Sequence, residues 1–181
     1  MNFCSDNVTG VSPAILAHLA AVNEGAAMPY GADPVTERVE AALARAFERE
    51  ADQIASFPVA TGTAANALIL SSLVPPYGAV LCHADAHINV DECGAPELFT
   101  GGAKLIPLDG PAAKLSPETV EAALAGDWRG VVHHAQIACL SITNATEAGA
   151  VYSPDEVATL AEAAHAHGLS LHMDGARFAN A

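Results

Sequence analysis

The sequence predicts an α/β fold, a three-layer αβα arrangement built on a mostly parallel sheet. Short apolar runs bounded by turn residues alternate along the chain with helix-period segments, and the intervening segments are long enough for the crossovers that parallel strands need. Composition agrees: 181 residues, 51% of them hydrophobic, with mean hydropathy +0.28, carry enough apolar surface to bury a sheet on both faces.

The elements follow in order. Asp33-Pro34 supplies an N-cap and a first-turn proline for a helix reaching about Glu50, along which Val35, Val39, Leu43 and Phe47 recur every four residues. Residues 54–60 read as a short buried strand, and Gly62 opens a helix carrying Leu68, Ile69 and Leu73. Further strands are expected at 79–82, 104–108, 130–133 and 169–173. Ser116-Pro117-Glu118-Thr119 begins one later helix; Ser153-Pro154-Asp155-Glu156 begins another as a capping box, with Glu156 reaching back to Ser153. Gly126 and Gly168 stand where those helices stop. In such a sheet, function belongs at the carboxyl ends of the strands. No repeat, low-complexity tract or linker divides the chain, so one domain is expected.

Charge narrows the partners. Seven Lys and Arg against 21 Asp and Glu give a formal net charge of -14, which disfavours nucleic acid and anionic membranes because both demand clustered cations. The most apolar stretch, 64–74, is shorter than a bilayer span, and no secretory leader is legible at Met1-Asn2-Phe3, so the expected location is cytoplasmic. Cys4, Cys82, Cys93 and Cys139 show no paired spacing and read as small apolar residues at packed positions.

Three strand ends carry suggestive chemistry. Thr61-Gly62-Thr63-Ala64-Ala65-Asn66 is either a phosphate-binding turn at a helix N-terminus or a plain strand-to-helix turn. Asp174-Gly175-Ala176-Arg177 is either a structural ion pair or an acid for a protonated heterocycle beside an arginine for a carboxylate. His83-Ala84-Asp85-Ala86-His87, with Glu92 close behind and His133-His134 further on, is either a metal set or one ring lining a pocket. His165 and His167 suit a helix C-terminus, and His18 and His172 are assigned to packing.

Taken in order, these pieces resemble the low-specificity threonine aldolases, in the β-eliminating-lyase group of fold type I pyridoxal-phosphate enzymes. The resemblance runs from Ser5-Asp6-Asn7-Val8-Thr9 through Tyr30-Gly31-x-Asp33-Pro34, Thr61-Gly62-Thr63-x-x-Asn66 and His87-Ile88 to Asp174-Gly175-Ala176-Arg177-Phe178-x-Asn180-Ala181. It implies that Gly62 and Thr63 cradle the phosphate of pyridoxal 5'-phosphate and that His87 stacks on its ring. It implies that Asp174 pairs with the ring nitrogen, that Arg177 and Ser5 bind a substrate carboxylate, and that His133, rather than His134, contacts a β-hydroxyl. The implied reaction is cleavage of a β-hydroxy-α-amino acid such as threonine to glycine and an aldehyde, by a homo-oligomer, dimer or tetramer. Thr61 stands where the family often has Ser, and 141–144 reads Ser-Ile-Thr-Asn where other branches have Glu-Asn-Thr-His. Two alternatives remain: a metal-dependent hydrolase using His83, Asp85, His87 and His133, and a noncatalytic oligomerisation module.

The resemblance also implies a lysine, downstream of the Asp-Gly-Ala-Arg motif, that forms a Schiff base with the cofactor. Lys104 and Lys114, the chain's two lysines, stand elsewhere and read as solvated surface charges. Residues 1–181 are thus expected to be part of a large cofactor-binding domain, with further strands and a small domain beyond them, and to be inactive by themselves.

Overall fold

Pro75 and Pro76 stop the helix α3 (Gly62–Leu73) and release the chain into β1 (Gly78–His83), a strand buried at all six positions. Glycine begins it by necessity: a Cβ on Gly78 would lie 2.7 Å from Val74 Cγ1 and 2.9 Å from the Pro75 carbonyl oxygen. This computed structural model describes residues 8–126 and 129–181. The chain divides into two compact units, one extending to Pro58 and the other running from Val59 to Ala181.

In the first unit, Ser12 caps α1 (Pro13–Val22) and Asp33 caps α2 (Pro34–Ala46), the Asp33 carboxylate accepting from the N–H groups of Val35 and Thr36. Helix α2 ends earlier than its periodicity suggested, because the chain turns at Glu48, with φ +51. No residue of α1 is buried, so His18 is exposed rather than packed. The expected strand at 54–60 does not form; Pro58 removes a ladder donor there, and Phe57 lies open to solvent.

The second unit holds the sheet. β1, β2 (Lys104–Leu108), β3 (Gln136–Thr143) and β4 (Ser170–Asp174) pair in parallel in the order β2-β1-β3-β4. Alternation along β1 divides two cores. Ala79 and Leu81 pack with Val120 and Leu124 of α6 (Pro117–Leu124) and Leu160 and Ala164 of α7 (Pro154–Ala166); Val80 and Cys82 pack with Leu70 of α3. The three expected layers are therefore present. Short helices α4 (His87–Val90) and α5 (Ala95–Phe99) occupy the crossover from β1 to β2.

The strand expected at 130–133 lies instead at β3. The Gln136 side chain explains the shift: its amide oxygen accepts from Gly130 N–H and its amide nitrogen donates to the Val131 and His134 carbonyls, folding 130–135 into turns. The capping box at Ser153 and Glu156 forms as expected, and just past the C-cap His167 of α7 stands Gly168 in a left-handed conformation, with φ +70. Lys114 is a clasp rather than a free surface charge. It bonds Glu156 and the Val151 carbonyl and sits 4.8 Å from the centre of the Tyr152 ring, whose hydroxyl accepts from Leu115 N–H. Cys82 and Cys139 are buried, and burial pushes both thiols up to about 12, whereas Cys93 is exposed, contrary to expectation. Among the described residues, no helix is long and apolar enough to cross a membrane.

His172 is buried on β4 as expected, with Nδ1 2.9 Å from Ser141 Oγ. Burial pushes its imidazole below the usual value of 6.5, against the opposing pull of the Asp174 and Glu92 carboxylates. Its folded-state affinity for protons is lower than in the unfolded chain, so its contribution to stability is complete above about pH 6.5 and falls as the pH drops below that. Urea unfolding at about pH 7.5 and 5.5 should show a larger loss of midpoint in the wild type than in His172→Gln; equal losses would contradict this.

Candidate active site

The order β2-β1-β3-β4 makes the chain leave β1 in one direction and continue through β3 and β4 in the other, so a crevice is expected between the carboxyl ends of β1 and β3. Four segments converge on this edge. Asp174 closes β4, opposite Thr143 at the end of β3. Asn66 comes from the first turns of α3, His87 opens α4, and Glu92 follows α4.

Their contacts form one network. Asn66 Nδ2 donates to Glu92 Oε1 at 2.8 Å and to Asp174 Oδ2 at 3.0 Å, while His87 Nδ1 lies 2.9 Å from the same Glu92 Oε1. Asn66, Glu92 and Asp174 are buried at 5%, 5% and 8% exposure, whereas the His87 side chain is 37% exposed. Among the described residues, neither Glu92 nor Asp174 has a lysine or arginine partner, and Glu92 Oε2 is buried without a hydrogen bond. Two buried acids held together by one neutral amide form an acceptor-rich site that favours a positively charged N–H. The second oxygen of Asp174, Oδ1, accepts from Ala176 N–H.

The backbone around the network is equally directed. Reaching Asp174 from Asn66 requires the N-terminal end of α3 to face the same edge. Thr61 Oγ1 accepts from Ala64 N–H and the Thr61 carbonyl from Ala65 N–H, so the N–H groups of Gly62 and Thr63 have no partner among the described residues. A Cβ at Gly62 would meet nothing within 4 Å, so the backbone there is open to approach. Glu147, in the loop after β3, accepts from His87 N–H at 3.1 Å and fixes the start of α4. Arg177 is exposed, and among the described residues its Nη1 reaches the Ala145 carbonyl at 3.5 Å.

The structure separates other residues that the sequence placed together. His83 accepts from Asp85 N–H through Nδ1, and its Nε2 contacts the Gly110 carbonyl, so both ring nitrogens are engaged; Asp85 is exposed. The set His83, Asp85, His87 and His133 therefore does not assemble; His87, Glu92 and Asp174 do, with ligand atoms within 4.8 Å of one another. His133 and His134 precede β3 and lie at the opposite, amino edge, lining a cleft with Lys104, Ile106 and Ile137. The structure does not bring His133 to Asp174, because β3 begins at Gln136 rather than ending near 133. Ser5 lies outside the described residues. Asn66 and Glu147 had no assigned role in the sequence, and Glu92 entered it only as a neighbour of the possible metal set at residues 83–87; its spacing, five residues after His87 across a single helical turn, is a signal for the pairing seen here.

A family profile described as beta-eliminating lyase matches residues 2–181. The chain belongs to the beta-eliminating lyase family. It is 41% identical over 180 residues to a low specificity L-threonine aldolase of Pseudomonas sp. and 39% identical to one of Pseudomonas aeruginosa, each alignment covering 99% of this chain and 50% of the relative. The chain thus spans about half the length of these curated relatives. A threonine aldolase structure from Leishmania major superposes with TM-score 0.83 at 29% identity, covering 95% of this chain and 48% of that one.

The bridging amide is the most sensitive point of this arrangement. Asn66→Ala leaves two buried carboxylates without their shared donor and should cost about 1–3 kcal/mol in denaturant unfolding. An unchanged midpoint would contradict the bridge.

Proposed function

We propose that this beta-eliminating lyase chain holds pyridoxal phosphate together with a β-hydroxy-α-amino acid and takes part in cleavage of the Cα–Cβ bond to glycine and an aldehyde. The observation that carries the reading is the acceptor pair Asp174 and Glu92, buried at the carboxyl edge without a lysine or arginine partner among the described residues. Names of the relatives, low specificity L-threonine aldolase, support the substrate class.

The residues fit the cofactor by the chemistry of their donors and acceptors. Asp174 offers free lone pairs to a protonated ring nitrogen, since each of its oxygens accepts one bond from the protein. The unpartnered N–H groups of Gly62 and Thr63 suit phosphate oxygens. Half-exposed His87 offers a flat ring face. When bound, pyridoxal phosphate supplies the electron sink for bond cleavage at the α-carbon.

The protein's own groups do the rest. Asp174 holds a proton at the ring nitrogen. Arg177, weakly committed to Ala145, presents its guanidinium fork to the substrate carboxylate. His87 Nε2 supplies a basic nitrogen for the β-hydroxyl proton. Ser5 is a second candidate for the carboxylate. His133, which lies before β3 at the amino edge, is given no role in this reading. Neither lysine stands at the cluster: Lys104 begins β2 at the amino edge and Lys114 is clasped to Glu156, so the anchoring amine implied by the family is not among these residues. The metal reading is weaker, because an amide N–H already joins the two acids where a cation would sit.

Absorbance titration of the purified chain with pyridoxal phosphate should show saturable, non-covalent binding, since neither lysine stands at the cluster. Asp174→Ala should weaken that binding about tenfold or more. Absence of binding, or an affinity indifferent to Asp174, would overturn the proposal.

A further inference from the structure

We infer that Glu92 is a positioning residue that sets the tautomer of His87 and, through Asn66, locks that ring to Asp174. Its value to catalysis rests on the cofactor reading above; the tautomer itself does not. The side chain of Glu92 is wholly buried, while that of His87 is 37% exposed, so the acid is the fixed member of the pair.

The protonation pattern follows from which atoms can donate. The side-chain atom of Asn66 that faces both Glu92 Oε1 and Asp174 Oδ2 has to be its amide nitrogen, because an amide oxygen would confront two acceptors. Glu92 Oε1 is thereby already an acceptor. His87 Nδ1, 2.9 Å from that same oxygen, must carry the hydrogen and donate it. In the neutral ring the hydrogen is then absent from Nε2, which has no partner among the described residues and becomes the accepting nitrogen at the open edge. Glu147 accepts from the backbone N–H of His87, so both the ring and its backbone are held by carboxylates.

Nitrogen-15 NMR of the cofactor-free protein, with the His87 signals assigned by their loss in His87→Gln, reads the tautomer directly. The wild type should show His87 with its hydrogen on Nδ1. Glu92→Gln, whose amide oxygen can still accept, should keep that tautomer, whereas Glu92→Ala should move the population to Nε2–H. Pyridoxal phosphate affinity should follow, falling about tenfold in Glu92→Ala and recovering to within about threefold in Glu92→Gln. A wild-type ring with its hydrogen on Nε2, or a tautomer unmoved in a folded Glu92→Ala, overturns the inference. If Glu92→Ala fails to fold, the wild-type and Glu92→Gln spectra decide it. Absence of pyridoxal phosphate binding by a wild type that carries the Nδ1–H ring would instead overturn the cofactor reading and leave the tautomer assignment standing.

Discussion

One amide group joins the two buried acids of this protein, and the arrangement of the carboxyl edge depends on it. Asn66 sits near the start of α3, and its two N–H groups span from Glu92 to Asp174, residues separated by 26 and 108 positions from it along the chain. A buried carboxylate without a partner is costly, so the contact fixes both the direction of α3 and the positions of the two acids. That same direction aims the unpartnered N–H groups of Gly62 and Thr63 at the edge where Asp174 ends its strand.

The sheet makes the bridge possible. Alternation along β1 sends Ala79 and Leu81 to the α6 and α7 side and Val80 and Cys82 to the α3 side. The α3 face of β4 carries His172 and Asp174, while Leu171 and Met173 pack into the opposite core. An apolar core thus supports a polar patch on the outer end of the same surface. The crossover from β1 to β2 then delivers His87 and Glu92 beside it, with Glu147 securing the first residue of α4.

Much of this was legible in the sequence, for reasons that can be named. Strand β2 matches its expected bounds because turn residues punctuate it on both sides, and the capping box at Ser153 and Glu156 is a local code needing no tertiary information. Asp174 and His87 were singled out by residue type at strand ends. The strand at 130–133 misled because its apolar valines are overridden by the Gln136 clasp, a contact that periodicity does not contain. The same clasp leaves His133 and His134 at the amino edge, before β3. The bridge from Asn66 to Glu92 was not legible because it pairs residues across the fold, and the exposure of Cys93 and the clasp at Lys114 are likewise tertiary facts.

The carboxyl-edge network is the site we propose for pyridoxal phosphate in this beta-eliminating lyase chain. Chemical-shift mapping during a titration with pyridoxal phosphate tests it most directly, following the side-chain NH2 of Asn66, the imidazole of His87 and the backbone N–H groups of Gly62 and Thr63. The account predicts that these four respond together and saturate at one affinity. Saturable shifts confined to the amino edge around His133 and His134, with the Asn66 amide unmoved, would contradict it.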